Sequence, residues 1–240
     1  MGAATGSFLN VVVWRVPRGE SIVAPRSRCP RCGAAIAPRD NVPIVSWLLL
    51  RGRCRACAAP IAARYPLIEA LTASVFAAVV AARGVDWDLA WQLPFAALLI
   101  AVAAIDLELK VIPNRLLLPA AGWGLVAAAL VRLSDLPELA AWSAGAFAFF
   151  LAAALAYPAG MGMGDVKLAG VMGLYLGSSV APAVLVALLS GSLVGLGVIA
   201  KQGAAGRKAG VPFGPFLALG GVVALLAGPE LVELYTDNFL

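Results

Sequence analysis

Leu89–Ile105 (LAWQLPFAALLIAVAAI) carries no charge anywhere along its length and ends directly on Asp106. As a helix it measures about 25 Å at 1.5 Å per residue, close to the ~30 Å hydrocarbon core of a bilayer. The whole chain matches this stretch. Of 240 residues, 62% are hydrophobic and 13% charged, against roughly 45–50% and 25% in soluble domains. A soluble globule is excluded, and an all-α polytopic membrane protein is expected. Further apolar stretches fall at Met1–Val13, Pro66–Ala82, Leu116–Val131, Leu139–Tyr157, Leu168–Val180, Ala181–Ala200 and Val211–Ala227. Together they predict about eight transmembrane helices.

The charges sort by side. If the chain alternates across the bilayer, residues 14–65, 106–115, 158–167 and 201–210 share one face. They carry 10, 2, 1 and 3 Lys/Arg, or 16 of the 18. Only Arg83 and Arg132 fall on the other face. The positive-inside rule then makes the first face cytoplasmic and puts both termini outside. Topology accounts for the net charge of +5, so nucleic acid is excluded as a partner.

Met1–Val13 would be only about 20 Å long as a helix, which predicts a true N-terminus upstream of Met1. Its Gly2, Gly6, Ser7 and Asn10 suit close helix packing, and Trp14, Arg15 and Arg18 mark an interface. The chain divides into a short first span (1–14), a cytoplasmic loop domain (15–65) and a transmembrane domain (66–240). In the loop, Cys29-Pro30-Arg31-Cys32 and Cys54-Arg55-Ala56-Cys57 are two C-x₂-C pairs, with positions 33–53 between them. In a reducing compartment four such thiols favour a metal over disulfides. They predict a structural Cys₄ zinc site, closed to water, in a segment too small for a core of its own. Trp47-Leu48-Leu49-Leu50 is too short to span; it packs on the zinc fold or rests at the membrane surface. Glu69 is expected as an interfacial carboxylate at a helix N-terminus.

Gly160-Met161-Gly162-Met163-Gly164-Asp165-Val166-Lys167 is the counterpart of Asp106. Carboxylates at the hydrocarbon edge are costly and usually functional. The alternating glycines predict positive φ or close approach of another chain. Alternation of spans puts Asp106 and Asp165 on the same face, each at a helix boundary. Two carboxylates in one cleft hold a single proton between them. The ionised member can activate water while the protonated one polarises a carbonyl, which is peptide hydrolysis without a covalent intermediate. The chain has no His, so Ser-His-Asp and Cys-His mechanisms are excluded. A proton or cation pathway is the competing reading. Gly162, Gly164 and Lys167 complete the site, with Lys167 either anchoring at the interface or tuning the pair. Gly191, Gly195 and Gly197 are expected at helix contacts, and Lys201–Gly210 as a basic loop. Val211–Phe216, with two prolines, predicts a broken helix start lining the same cleft.

In order along the chain, these motifs resemble the bacterial prepilin peptidases, or type IV leader peptidases, membrane aspartic proteases of the GxGD kind. The likeness runs through Gly6–Val11, Arg15–Pro17, Gly19–Val23, Pro25–Ser27, both cysteine pairs, Asp40–Pro43, Ser46-Trp47, Arg51-Gly52, Arg64–Pro66, Ile105-Asp106, Gly160–Leu168 and Phe213–Phe216. It implies a multi-pass inner-membrane enzyme whose catalytic Asp106 and Asp165 face the cytoplasm. Its substrates would be type IV prepilins or type II secretion pseudopilins, cut after the glycine that ends a basic leader. It also implies N-methylation of the new terminus with S-adenosylmethionine, near the cytoplasmic loop; no residue here marks the methyl-donor site. The alternatives are a peptidase without methyl transfer, or a zinc-bearing scaffold or ion pathway. Ala58 stands where the family has glycine, so strain is expected in that turn. Ile105 replaces the tyrosine that presenilin-like relatives place before their first aspartate, and archaeal preflagellin peptidases generally lack the four-cysteine loop.

Overall fold

A computed structural model describes residues 1–158, 160–203 and 210–239. Its helices are α1 (Gly2–Arg15), α2 (Val45–Leu49), α3 (Arg64–Arg83), α4 (Leu89–Leu109), α5 (Asn114–Val131), α6 (Leu136–Ala156), α7 (Met163–Leu176), α8 (Val180–Gln202) and α9 (Gly214–Phe239). Each apolar stretch in the sequence is therefore a helix. Among the described residues, six segments are long and apolar enough to cross a membrane, fewer than the eight expected. The difference has two causes. α1 is too short to count. α7 runs through a 3₁₀ turn (Gly177–Ser179) into α8, and the two form one continuous apolar stretch, Met163–Gln202. Ala204–Ala209, most of the expected basic loop, lie outside the described residues.

The chain forms two compact units, Met1–Ala78 and Val79–Leu240. In the first, α1 meets α3 backbone to backbone. A Cβ at Gly2 would lie 2.7 Å from Ala73 Cα, and one at Gly6 would lie 2.6 Å from Glu69 Cα. This Gly-x₃-Gly spacing is the close packing that helices in lipid rely on, where apolar burial gives no drive for association. Asn10, buried between them, donates its Nδ2 to Gly6 O at 3.2 Å and to Tyr65 O at 3.1 Å. Glu69 departs from expectation. It is buried, and its Oε2 accepts the N–H of Ile44 at 2.7 Å. Ile44 sits at φ +62°, an uncommon conformation for a β-branched residue, so the buried carboxylate holds the entry to α2 in place.

The second unit is a bundle of α4–α9. Small residues again set the contacts: Gly173 of α7 lies against Trp142 O of α6, and Gly220 of α9 against Ala183 O of α8. Ser143 Oγ donates to Gly170 O at 2.8 Å across α6 and α7. Gly191 of α8 faces Phe213 and Phe216, whereas Gly195 and Gly197 face nothing within 4 Å among the described residues. Among the described residues, only Gly191 of those three meets a neighbour. Tyr175 centres the core: its ring stacks on Phe95 at 4.5 Å and its OH donates to Ala120 O at 2.7 Å. Trp91 Nε1 donates to Tyr175 O at 2.9 Å.

Gly6→Val tests the first contact. Its side chain would force α1 off α3, a penalty of about 1–3 kcal/mol for overpacking. Thermal unfolding in detergent should show a midpoint lower by several degrees, while Gly195→Val should leave it unchanged.

Candidate active site and metal centre

Asp106 lies in the last turn of α4, which continues to Leu109, so it is a helical residue rather than the first of a loop. It is 5% exposed. Its Oδ2 accepts the N–H of Gly214, the first residue of α9, at 2.8 Å. A Cβ at Gly214 would fall 2.7 Å from that same oxygen, so glycine is required for the approach. Val211–Phe213 are not helical, and the broken helix start does reach the aspartate. Lys110 ends α4 in the left-handed region (φ 53°) and donates its Nζ to Gly210 O at 2.7 Å. Residues 210 and 214 are thus both tied to the end of α4.

Asp165 occupies the first turn of α7, which begins at Met163 with Gly162 as its N-cap. A carboxylate is favoured at that end of a helix. α4 and α7 touch, and Asp106 and Asp165 lie within electrostatic reach of one another. Asp165 Oδ1 is buried and has no hydrogen-bond partner among the described residues, an arrangement that needs an explanation in any folded protein. The glycines act differently from one expectation. Gly162 has φ −81°, and positive φ occurs at none of Gly160, Gly162 and Gly164. Gly164 instead permits close approach, since a Cβ there would meet Ile112 Cβ at 2.9 Å. Lys167 donates its Nζ to Asn114 Oδ1 at 3.1 Å, tying α7 to the first residue of α5. The roles of Gly214 and Lys110 were not read from the sequence; the Phe-Gly-Pro-Phe helix entry was the signal for the first, and a lone loop lysine offers none for the second.

In the first unit the four cysteine Sγ atoms all lie within 4.8 Å of one another, with Cys29 and Cys57 at 3.9 Å. Zn–S bonds of about 2.3 Å place tetrahedral sulfurs about 3.8 Å apart, so the donor set fits a tetrahedral cation. None is disulfide-bonded. The two halves repeat one backbone pattern. Cys29 N–H donates to Ala34 O and Gly33 N–H to Cys29 O; Cys54 N–H donates to Ala59 O and Ala58 N–H to Cys54 O. The bridges Arg28–Ala35 and Arg53–Pro60 close both. Gly33 has φ 72° and Ala58 has φ 56°, so the strain expected at Ala58 is present. Backbone N–H groups of Cys32 and Arg31 draw the Cys29 thiol down from 9.0 to about 6. Cys57 is lowered by the Ala59 N–H but pushed up overall to about 11 by desolvation and by hydrogen bonds with the other thiols. The cluster by itself favours one thiolate, and a divalent cation would displace the remaining protons. Arg55 binds Asp40 bidentately at 2.8 and 2.6 Å, which lowers the Asp40 carboxyl below 3.8. Because its folded value is depressed, this tie is intact above the ordinary carboxylate range and opens as the pH falls through the lowered value.

Residues 1–83 match the bacterial peptidase A24 N-terminal domain, and residues 93–200 match the type IV leader peptidase family. The first match holds all four cysteines, the second both aspartates. The relatives extend over nearly the whole chain. A protein of Aeromonas hydrophila is 37% identical over 98% of this chain and 91% of its own length. One of Bacillus subtilis is 34% identical over 98% and 94%. This chain belongs to the type IV leader peptidase family. A third relative, from Pseudomonas aeruginosa, is 32% identical over 98% and 91%. All three are named prepilin leader peptidase/N-methyltransferase. No solved structure matches this leader peptidase.

Two measurements check the metal centre. Purified protein should contain about one zinc per chain, and occupancy should fall as the pH is lowered, because protons compete with the metal for the sulfurs. Ala58→Gly should relieve a left-handed conformation that costs an L-residue about 1 kcal/mol or more, slowing zinc loss to a chelator severalfold.

Proposed function

We propose that this family member is a membrane aspartic endopeptidase in which Asp106 and Asp165 are the catalytic pair. It removes the leader of type IV prepilins or type II secretion pseudopilins after glycine. One observation carries the reading. A buried, unpartnered oxygen on Asp165 faces chemistry shared with a second carboxylate on a contacting helix, where a water and a peptide carbonyl would supply the missing partners. The ionised carboxylate takes a proton from water as it attacks the scissile carbonyl, and the protonated one donates to the developing oxyanion. Collapse of the tetrahedral intermediate returns a proton to the leaving amine. Gly214 N–H fixes Asp106 during this exchange. Gly162, Gly164 and Lys167 form the edge against which the substrate backbone lies.

The proposed setting is the inner membrane, with the active site toward the cytoplasm, where Lys and Arg concentrate. Eight spans follow if α1 crosses and if α7 and α8 cross separately. The domains are the first span (1–14), the zinc loop (15–65) and the peptidase domain (66–240). Zinc held by Cys29, Cys32, Cys54 and Cys57 is structural, since four protein ligands leave no open position. The names of the relatives support a second activity, N-methylation of the new terminus with S-adenosylmethionine as donor.

Incubating purified protein in detergent with a prepilin and labelled S-adenosylmethionine tests both activities. Asp106→Asn and Asp165→Asn should each lower leader removal by at least 10³-fold while insertion and zinc content stay normal; cleavage by either variant would refute the pair. Gly214→Ala, whose Cβ displaces the Asp106 carboxylate, should reduce the rate at least tenfold. Absence of label in the shortened product would leave a peptidase only.

A further inference from the structure

The zinc loop carries an apolar face that its own fold leaves uncovered. In α2, Ser46 and Trp47 turn inward. Ser46 Oγ donates to Arg39 O at 3.0 Å and accepts the Val42 N–H, and Trp47 Nε1 donates to Ile61 O at 3.1 Å. The Trp47 ring covers Gly52, where a Cβ would fall 2.9 Å away. This anchoring fixes the other side of the helix outward. Val45, Leu48 and Leu49, at i, i+3 and i+4, share one face and are 51%, 61% and 77% exposed. Of the two expectations for this segment, packing on the loop holds for Trp47 but not for Leu48 and Leu49.

Position and charge identify the occupant. Ile44, immediately before α2, donates its N–H to Glu69, in the second turn of α3. That is about 7.5 Å along the helix from Arg64, and α3 is one of the membrane-length helices. The α2 entry thus sits a turn or more inside the start of a span, at the depth of about 5–10 Å where interfacial helices bury their apolar faces. Arg51 and Arg53, directly after α2, are exposed. Residues 14–65 hold ten arginines against Glu20 and Asp40, and Asp40 is already engaged by Arg55. The segment that carries the apolar face is strongly cationic.

We infer that Val45, Leu48 and Leu49 form a foot seated in the headgroup layer of the bilayer that α3 enters, with Arg51 and Arg53 on anionic lipid phosphates. This inference needs the membrane setting but not the peptidase activity, so the two fail separately. The foot adds a further attachment of the zinc loop beyond those to α1 and α3.

The test uses the full-length protein in nanodiscs of phosphatidylcholine with or without phosphatidylglycerol. A photo-reactive benzoylphenylalanine replaces Leu48, Leu49 or, as a control on the exposed knuckle, Arg31. Mass spectrometry after illumination should show lipid adducts at 48 and 49 at least fivefold above those at 31, and more with phosphatidylglycerol present. Adducts to an added prepilin or to a second copy of the chain, or labelling equal to the control, would overturn the inference. For a readout without the probe, Arg51→Gln/Arg53→Gln should retain at most half the phosphatidylglycerol seen on the parent protein by native mass spectrometry. Unchanged retention would overturn the charge pairing.

Discussion

A carboxylate placed in the last turn of an apolar helix needs a substitute for the water it has left, and at Asp106 that substitute is the N–H of Gly214. Much of the second unit answers to this hydrogen bond. It requires α9 to begin at residue 214, a residue without a side chain there, and a non-helical approach over Val211–Phe213. Lys110 reinforces the geometry from one turn further along α4 by holding Gly210 O. On the other side, Gly164 lets the first turn of α7 come down on Ile112, which brings Asp165 within reach of Asp106. Removing any one of these contacts would move one carboxylate relative to the other.

Elsewhere the helices and the cysteine loop solve their packing by different means. The helices use glycine to bring backbones together, at Gly2 and Gly6, at Gly173 and at Gly220, because dispersion and not water exclusion holds helices in lipid. The loop of residues 15–65 has few buried apolar side chains. Its order comes from two copies of one short turn, each offering two sulfurs, from the Arg55–Asp40 pair, and from the Glu69 carboxylate that reaches out of α3 to Ile44.

What could be read in advance follows from how local the signal is. Apolar run length is a local property, so every helix of the bundle was legible. The cysteine spacing was legible for the same reason, and so was the strain at Ala58. How the apolar stretch of α7 and α8 divides was not, because the short 3₁₀ turn between them leaves no polar break. Glu69 looked interfacial because its partner, Ile44, is remote in sequence and donates only a backbone N–H. Gly214 was visible as a broken helix entry, but its pairing with Asp106 depends on how α4 and α9 meet. The glycines of 160–164 suggested unusual dihedrals, while the constraint on Gly164 is the proximity of Ile112 from a different connection.

The link between α4 and α9 also has a temporal side. Chains are made from the N-terminus, and membrane helices enter the bilayer as they emerge. Asp106 is therefore delivered well before the amide that it will bind, and Asp165 is in place before that amide as well. Until Gly214 arrives, neither carboxylate has its final surroundings. A nascent chain halted after α8 would already have its cysteine loop and both acidic groups, yet lack the piece that sets one of them. The order of synthesis thus delays the final surroundings of Asp106 until its last supporting helix is made.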